Sequence, residues 1–599
     1  MGTLRQKQTR IFHRMHRASS VAVILLLACV GPAYAQKPAD RASAEARHAS
    51  RYPSYENVTE KSHIQFQHSF GEQKLSSILE ATGSGCVWFD YNNDGLLDLY
   101  VLSGRYLEGV TDHSKADGKE ATNHLYRNNG DGTFTDVTAQ AGVPGKGFAM
   151  GVTAGDYDND GYEDLYITNW GSAILYHNNG DGTFTDVTEK AGVQNNHFGV
   201  GAAFVDYDRD GRLDLFVGNY LKFDPHAKRL YYTADAFAGP LDYEGEGNRL
   251  FHNNGDGTFT EVTEAAGLST FWPTIGAAWG DYNNDGYPDL FVSNAMGRSQ
   301  LYRNNGDGTF TDVSEQAGVT QYCIGGAAFW CDYNNDGLLD IVQWSWSDHE
   351  DVIYTMRHGE GPPWGQPHRI YQNNGDGTFT LHNRDIGLTG CWGSMSGNAG
   401  DFNNDGYLDL VLGNGSPRMD RLEPPILLEF DGKRFHNITF AAGLPFYGKC
   451  HGATFADLFG DGRLSVLLAS GGAYPGDLLT MRVYYPKTLP GNYLNVRLAG
   501  VNSNRSAIGA RLSLTAGGRA QYREVSGGSN FGCLPFEQHF GLADIAAVDS
   551  LEIRWPSGLV QRFENLPVNA TIQITEGQEA WTSVYDRKPA PEALAAAAG

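Results

Sequence analysis

"GDYDNDGYEDLYIT", from Gly155 to Thr168, sets five carboxylates (Asp156, Asp158, Asp160, Glu163 and Asp164) in nine positions and then enters a run suited to burial. Carboxylates this close raise one another's pKa values unless a cation neutralises them. Related stretches begin at Asp90, Asp206, Asp281, Asp332 and Asp401, and an eroded seventh, "DLFGDGRLSV", begins at Asp457. The shared form is D-x-[DN]-x-D-G-x-x-D. Side-chain oxygens at positions 1, 3, 5 and 9, a backbone carbonyl at 7 and a glycine that permits the sharp turn at 6 suit a hard dication such as Ca²⁺.

On this register the first site takes Asp90, Asn92, Asp94, the Leu96 carbonyl and Asp98; the second takes Asp156, Asp158, Asp160, Tyr162 and Asp164. The third takes Asp206, Asp208, Asp210, Arg212 and Asp214, and the fourth Asp281, Asn283, Asp285, Tyr287 and Asp289. Asp332, Asn334, Asp336, Leu338 and Asp340 form the fifth; Asp401, Asn403, Asp405, Tyr407 and Asp409 form the sixth. That makes about six Ca²⁺ sites. The seventh loop has Phe459 and Ser465 where ligands belong. Glu163, at position 8, is expected to face solvent.

An EF-hand begins the same way but needs a bidentate Glu at position 12, where these loops carry Val101, Ile167, Val217, Val292, Gln343 and Leu412. Each loop leads instead into a β-prone run such as "LYITNW". The other alternative, a solvated acidic turn, does not explain six copies in one ligand order.

The first aspartates of successive loops are 50 to 75 residues apart, a period that indicates a propeller or another array. Between them "NNGDGTFT" recurs from Asn128, Asn178, Asn253, Asn304 and Asn373, with "EFDGKRFHNIT" as a worn copy; Asn-Gly and Asp-Gly favour a tight hairpin. Seven loops face only six internal hairpins, and "YENVTEKSHIQF" from Tyr55 resembles the missing second strand. An N-terminal strand that completes the last sheet closes a ring and leaves no free edge. The expected fold is therefore all-β: a seven-bladed β-propeller over 53–485, followed by a small β-sandwich over 486–577, where apolar and polar residues alternate between turns. A linear β-solenoid, the alternative, needs no displaced strand. Residues 36–52 and 578–599 read as flexible.

The chain is acidic, with a formal charge of -25, which argues against nucleic acid or an anionic membrane as partner. Residues 1–35 have the layout of a signal peptide: basic residues from Arg5 to Arg17, the apolar run "VAVILLLACV", and Ala33-Tyr34-Ala35 before the cleavage point. A secreted, periplasmic or cell-surface location follows. "LLAC" offers an alternative lipoprotein site, with Cys29 as the anchor. No later run is long enough for a transmembrane helix. Cys86, Cys323, Cys331, Cys391, Cys450 and Cys533 remain after cleavage, an even number that permits disulfides without assigning pairs.

The repeated loops resemble the FG-GAP/VCBS repeats of integrin-like propellers, and "GVNSNRSAIGARL", "FGL" at Phe540 and "LEIRWPSG" resemble the ASPIC/UnbV domain. Together they resemble the bacterial relatives of cartilage acidic protein over nearly all of the mature chain. The resemblance implies an exported calcium-binding propeller with an ASPIC/UnbV module, and no established reaction. Cys533 interrupts the otherwise family-like "GGSNFG" stretch.

The sequence favours a binding or adhesion scaffold over an enzyme: it lacks G-x-S-x-G, HExxH and a phosphate loop, and most clustered carboxylates are already metal ligands. The enzyme alternative rests on Cys323, Cys391, Trp392, Cys450, His451, His197 and Trp272, which precede the loops and could converge at one channel mouth as a soft-metal or redox site. Disulfides and buried packing are their plainer roles. Long insertions in units one, three and five bring Tyr231, Tyr232, Trp344, Trp346 and Trp364, either as an aromatic surface for an extracellular protein or glycan or as anchors for the loops.

Overall fold

Each metal-loop unit becomes one antiparallel sheet; among the described residues six of the seven have four strands, and that of the first unit gains Gly532–Cys533 as a fifth, parallel strand. The computed structural model describes residues 52–69, 77–83, 85–107, 110, 121–227, 237–415, 423–444, 448–470, 480–488, 491–528 and 531–585. The signal-peptide and Cys29 readings lie outside these residues. In the second unit the strands are Phe148–Gly155, Asp164–Trp170, Ile174–Asn178 and Phe184–Asp186, with the acidic loop joining the first two. Small residues fill the first strand because neighbouring backbones crowd it. A Cβ on Gly151 would lie 2.2 Å from the Val200 carbonyl oxygen of the next unit.

Sheets pack face to face in series. Phe216 and Leu250 of the third share a core with Ala277, Trp279 and Val292 of the fourth. Trp88, Leu99 and Tyr126 of the first pack against Leu467 and Val483 of the seventh, so the series returns to its start. The strand Tyr55–Asn57 pairs with Arg482–Pro486 and forms the outer strand of that seventh sheet, as the displaced hairpin half predicts; a linear solenoid is ruled out.

The first asparagine of each hairpin ties the sheets together. Asn178 donates through its side-chain amide to the carbonyls of Glu163, in its own unit, and Tyr91, in the preceding one (3.1 and 2.8 Å). Asn253, Asn304 and Asn373 repeat this bond to Tyr157, Tyr207 and Tyr282, each at 2.8 Å. Asn128 reaches Leu458 of the seventh unit (3.1 Å), which carries the same bond across the closure.

Beyond the ring, Gln538–Ala543, Asn492–Ala499, Ala570–Thr575 and Thr582–Ser583 form one four-stranded sheet. Arg519–Glu524, Arg511–Ala516, Val548–Arg554 and Val560–Leu566 form a second. Leu494, Ile572, Leu512 and Leu551 join them in one core. The segment expected to be flexible from 578 is ordered as far as Tyr585: Val584 donates its N–H to Thr571, and Tyr585 packs at Gly460. Residues 586–599 lie outside the description.

Replacing Asn253 with Ala strands two buried carbonyls and should cost about 1–3 kcal/mol by denaturant unfolding, whereas Asn254→Ala, in the exposed turn, should cost less than about 1 kcal/mol. Equal losses would contradict the clamp.

Candidate metal centres

The second loop shows how the backbone gathers carboxylates. Asp156 accepts the N–H groups of Asp160 (3.0 Å) and Gly161 (2.7 Å), and Asp160 accepts that of Tyr162 (2.9 Å). The turn needs positive φ at Asn159 (60°) and Gly161 (98°). Asp164 accepts the N–H groups of Asn178 (2.7 Å) and Tyr157 (3.2 Å), so the ninth position is anchored by the hairpin and by the loop. Donor atoms of Asp156, Asp158 and Asp160 lie within 4.8 Å of one another, as do those of Asp206, Asp208 and Asp210. Asp90, Asp281, Asp332 and Asp401 accept the same two turn N–H groups, and Asn92, Asn283, Asn334 and Asn403 fold inward beside Asp94, Asp285, Asp336 and Asp405. The side chains at positions 1, 3 and 5 thus lie close together within each of these loops.

The electrostatics call for a cation. Asp98, Asp164, Asp214, Asp289, Asp340 and Asp409 are all 0% exposed. Burial pushes Asp164 and Asp214 up to about 7 and drives Asp98, Asp289, Asp340 and Asp409 well above the carboxylate range. Burial also raises Asp156 and Asp206 to about 7, with their loop neighbours adding to the shift. Asp289 Oδ2 and Asp340 Oδ2 are sealed from solvent, with the backbone N–H groups of Tyr282 and Tyr333 as their polar neighbours. A hard dication among these oxygens would neutralise their buried charge, so the residues fit calcium.

The eroded loop carries its own cation. Arg463, at position 7, donates from Nε to Asp461 (2.9 Å), and the Tyr485 hydroxyl donates to the same carboxylate (2.5 Å). Asn495 donates to Asp457 (2.7 Å).

Glu163 corrects the sequence reading. It is half-buried and accepts the Asp90 N–H (3.2 Å), which fastens the second loop to the first; burial and the nearby Asp90 raise it to about 8. Position 4 was also missed. Asn93 donates to the Gly161 carbonyl, Asn159 to Gly211, Asn335 to Gly406 and Asn404 to Gly462, at 2.8 to 3.1 Å, so loops join hand to hand. The signal was present as asparagine at this left-handed position in five of the six intact loops, with Arg209 in the other.

The C-terminal module covers this face. Arg497 approaches Asp90 (3.5 Å), Ser506 caps the Asp156 N–H (3.0 Å), Glu524 caps that of Asp281 (3.2 Å), and His539 meets Asn404 (2.7 Å). The described ends of its "GGSNFG" stretch, 527–528 and 531–532, lie between inner strands of the ring. The Gly527 carbonyl accepts from Thr153 (2.5 Å), that of Gly532 from Asn398 (2.8 Å), and Gly532–Cys533 pairs in parallel with Cys86–Val87. Cys533 Sγ donates to the Val152 carbonyl (3.1 Å). The odd cysteine therefore helps seat this stretch between inner strands.

The cysteine and histidine constellation does not assemble. Cys86, Cys331, Cys391, Cys450 and Cys533 are buried and form no disulfide with one another, and the Cys323 side chain lies outside the description. His451 is buried against the Ala81 carbonyl (3.1 Å), while His197 pairs with Glu246 (3.0 Å). Among the described residues neither joins a converging metal group. The aromatic surface also changes: Trp344 is fully buried with its indole N–H toward the Gly397 carbonyl (3.3 Å), Trp346 is half-buried, Trp364 is exposed, and Tyr231 and Tyr232 lie outside the description.

The FG-GAP-like repeat model matches residues 90–167, 156–217, 233–292, 281–342 and 348–412, each span running between successive loops. This chain belongs to the FG-GAP-like repeat family. An ASPIC and UnbV model matches residues 500–580 of the module. The repeat protein is 29% identical to cartilage acidic protein 1 of Xenopus tropicalis over 323 residues, 50% of this chain and 44% of that one. It is 28% identical to the Mus musculus protein over 331 residues, 53% and 48% of the two chains. The chain thus spans about half the length of the curated relatives it matches. A solved structure titled "YCF48 bound to D1 peptide" overlaps 73% of this chain and 97% of its own at 7% identity and a TM-score of 0.38, too low to carry an argument.

Glu163→Ala removes the acceptor of the Asp90 N–H and should destabilise the protein by about 1–3 kcal/mol, while Glu163→Gln, which keeps an acceptor, should lose less. Denaturant unfolding of both variants checks this.

Proposed function

We propose that this chain is an exported, calcium-stabilised propeller scaffold that binds an extracellular protein or glycan on the face opposite its metal loops. The observation that carries the calcium reading is the set of fully buried ninth-position aspartates in loops whose other donors are already gathered. When bound, calcium supplies charge and coordination; Asp, Asn and carbonyl oxygens of the chain orient it.

The binding face follows from topology. The module occupies the loop side, and in antiparallel sheets the long insertions emerge at the other end. There Phe271 (75% exposed) and Trp364 (73% exposed) stand clear of the body, and the helix His349–His358 exposes Ile353 and Met356. Exposed aromatic and apolar side chains beside polar loops suit a glycan ring or a protein loop.

Thermal unfolding with excess Ca²⁺ and with chelator tests the metal. A loop filled at a hundred times its Kd adds about 2.7 kcal/mol, so the midpoint should rise sharply with Ca²⁺ and little with Mg²⁺, whose octahedral shell fits these loops poorly. An unchanged midpoint defeats the reading.

Calcium titration separates the loops. Asp285→Ala, in a loop with asparagine at position 3, should lose one calcium site, and Asp461→Ala should leave the number of sites unchanged. Glycan and protein arrays probed with the mature chain and with Phe271→Ala/Trp364→Ala test the surface; binding indifferent to both substitutions removes it.

A further inference from the structure

Two of the six intact loops differ from the rest in a coordinated way. Position 3 is Asp158 in the second and Asp208 in the third, where the other four carry Asn92, Asn283, Asn334 and Asn403. In the same two units the residue before the hairpin asparagine is His177 or His252; elsewhere it is Arg127, Arg303 or Gln372, or Glu429 in the worn hairpin. The extra carboxylate and the histidine occur together in both copies and in no other.

The structure brings them into contact. His177 Nδ1 lies 3.3 Å from Asp158 Oδ2 and 3.3 Å from Asp164 Oδ1. His252 Nδ1 lies 3.4 Å from Asp208 Oδ2 and 3.2 Å from Asp214 Oδ1. In each triad one donor atom from every residue falls within 4.8 Å of the others. Both Nδ1 atoms are shielded from solvent and each sits between two carboxylates; Asp208 Oδ1 is likewise shielded and has no hydrogen-bond partner. In the third loop Arg212 engages Asp210, which leaves Asp206, Asp208, Asp214 and His252 as the remaining donors.

Calcium takes oxygen ligands, and an imidazole nitrogen beside carboxylates suits a borderline transition-metal dication. We propose that the second and third loops are selective sites for a dication of the Zn²⁺ or Mn²⁺ class, with Asp158, Asp164 and His177 as ligands in one and Asp208, Asp214 and His252 in the other, while the four asparagine loops take Ca²⁺. The assignment rests on the calcium reading for those four loops only. The competing role of the histidines is ion pairing with the extra carboxylate, which gives no metal selectivity.

The test uses full-length mature protein, stripped with chelator, dialysed against excess Ca²⁺ containing trace Zn²⁺ and then assayed by elemental analysis. The chain should retain about two equivalents of zinc, with an imidazole signature at the zinc absorption edge. H177Q/H252Q, which installs the residue that the fifth unit carries as Gln372, should bind zinc at least about tenfold more weakly and keep its calcium. Zinc fully displaced by calcium, or retained equally by the double variant, overturns the assignment. Calcium in all six loops with no zinc sinks this inference and spares the calcium reading; zinc retained with no calcium anywhere does the opposite.

Discussion

A carboxylate withdrawn from water at the ninth position of every intact loop is the constraint on which the ring depends. Asp164 illustrates it: the Asn178 N–H holds one oxygen and the Tyr157 N–H the other, so the acid joins the metal loop to the hairpin of its own unit. The Asn178 side chain then reaches the preceding unit at Tyr91. One buried charge therefore lies where loop, sheet and neighbour meet. An ionised group in that position costs several kcal/mol after relaxation unless something neutralises it. The loop places further oxygens where a cation would do so.

The degenerate seventh unit obeys the same requirement by another route. Ser465 replaces the ninth-position acid, Phe459 replaces the third-position donor, and Arg463 turns back onto Asp461. Charge is balanced inside the chain, and the sheet still closes on the N-terminal strand. The C-terminal module adds a second layer to this balance. It lies over the loops, on the side opposite the long insertions. Asn398, an unusual polar residue in an inner strand, is explained by the Gly532 carbonyl that it meets.

Much of this was legible in the sequence because it is local. The ligand order, the hairpins and the displaced first strand each rest on spacing and turn chemistry, and the sheets follow them. What was not legible depends on contacts distant in sequence. Glu163 reads as a solvent-facing bystander because its partner, the Asp90 N–H, belongs to another unit. Trp344 reads as an insertion aromatic, yet it completes a strand whose inward face is core. Cys391 and Cys450 both precede a loop but sit at different offsets from it, outside and inside the first strand of their units, and they create no common site. The seating of this stretch between inner strands could not be foreseen, since nothing in "GGSNFG" names the strands that receive it.

Anomalous scattering from crystals of the mature protein grown in Ca²⁺ alone, recorded at long wavelength, tests the central claim most directly. The account predicts calcium peaks within the six intact loops, each beside its buried ninth-position aspartate, and no peak between Asp457 and Asp461. Loops that keep these carboxylates gathered with no calcium peak among them would contradict it.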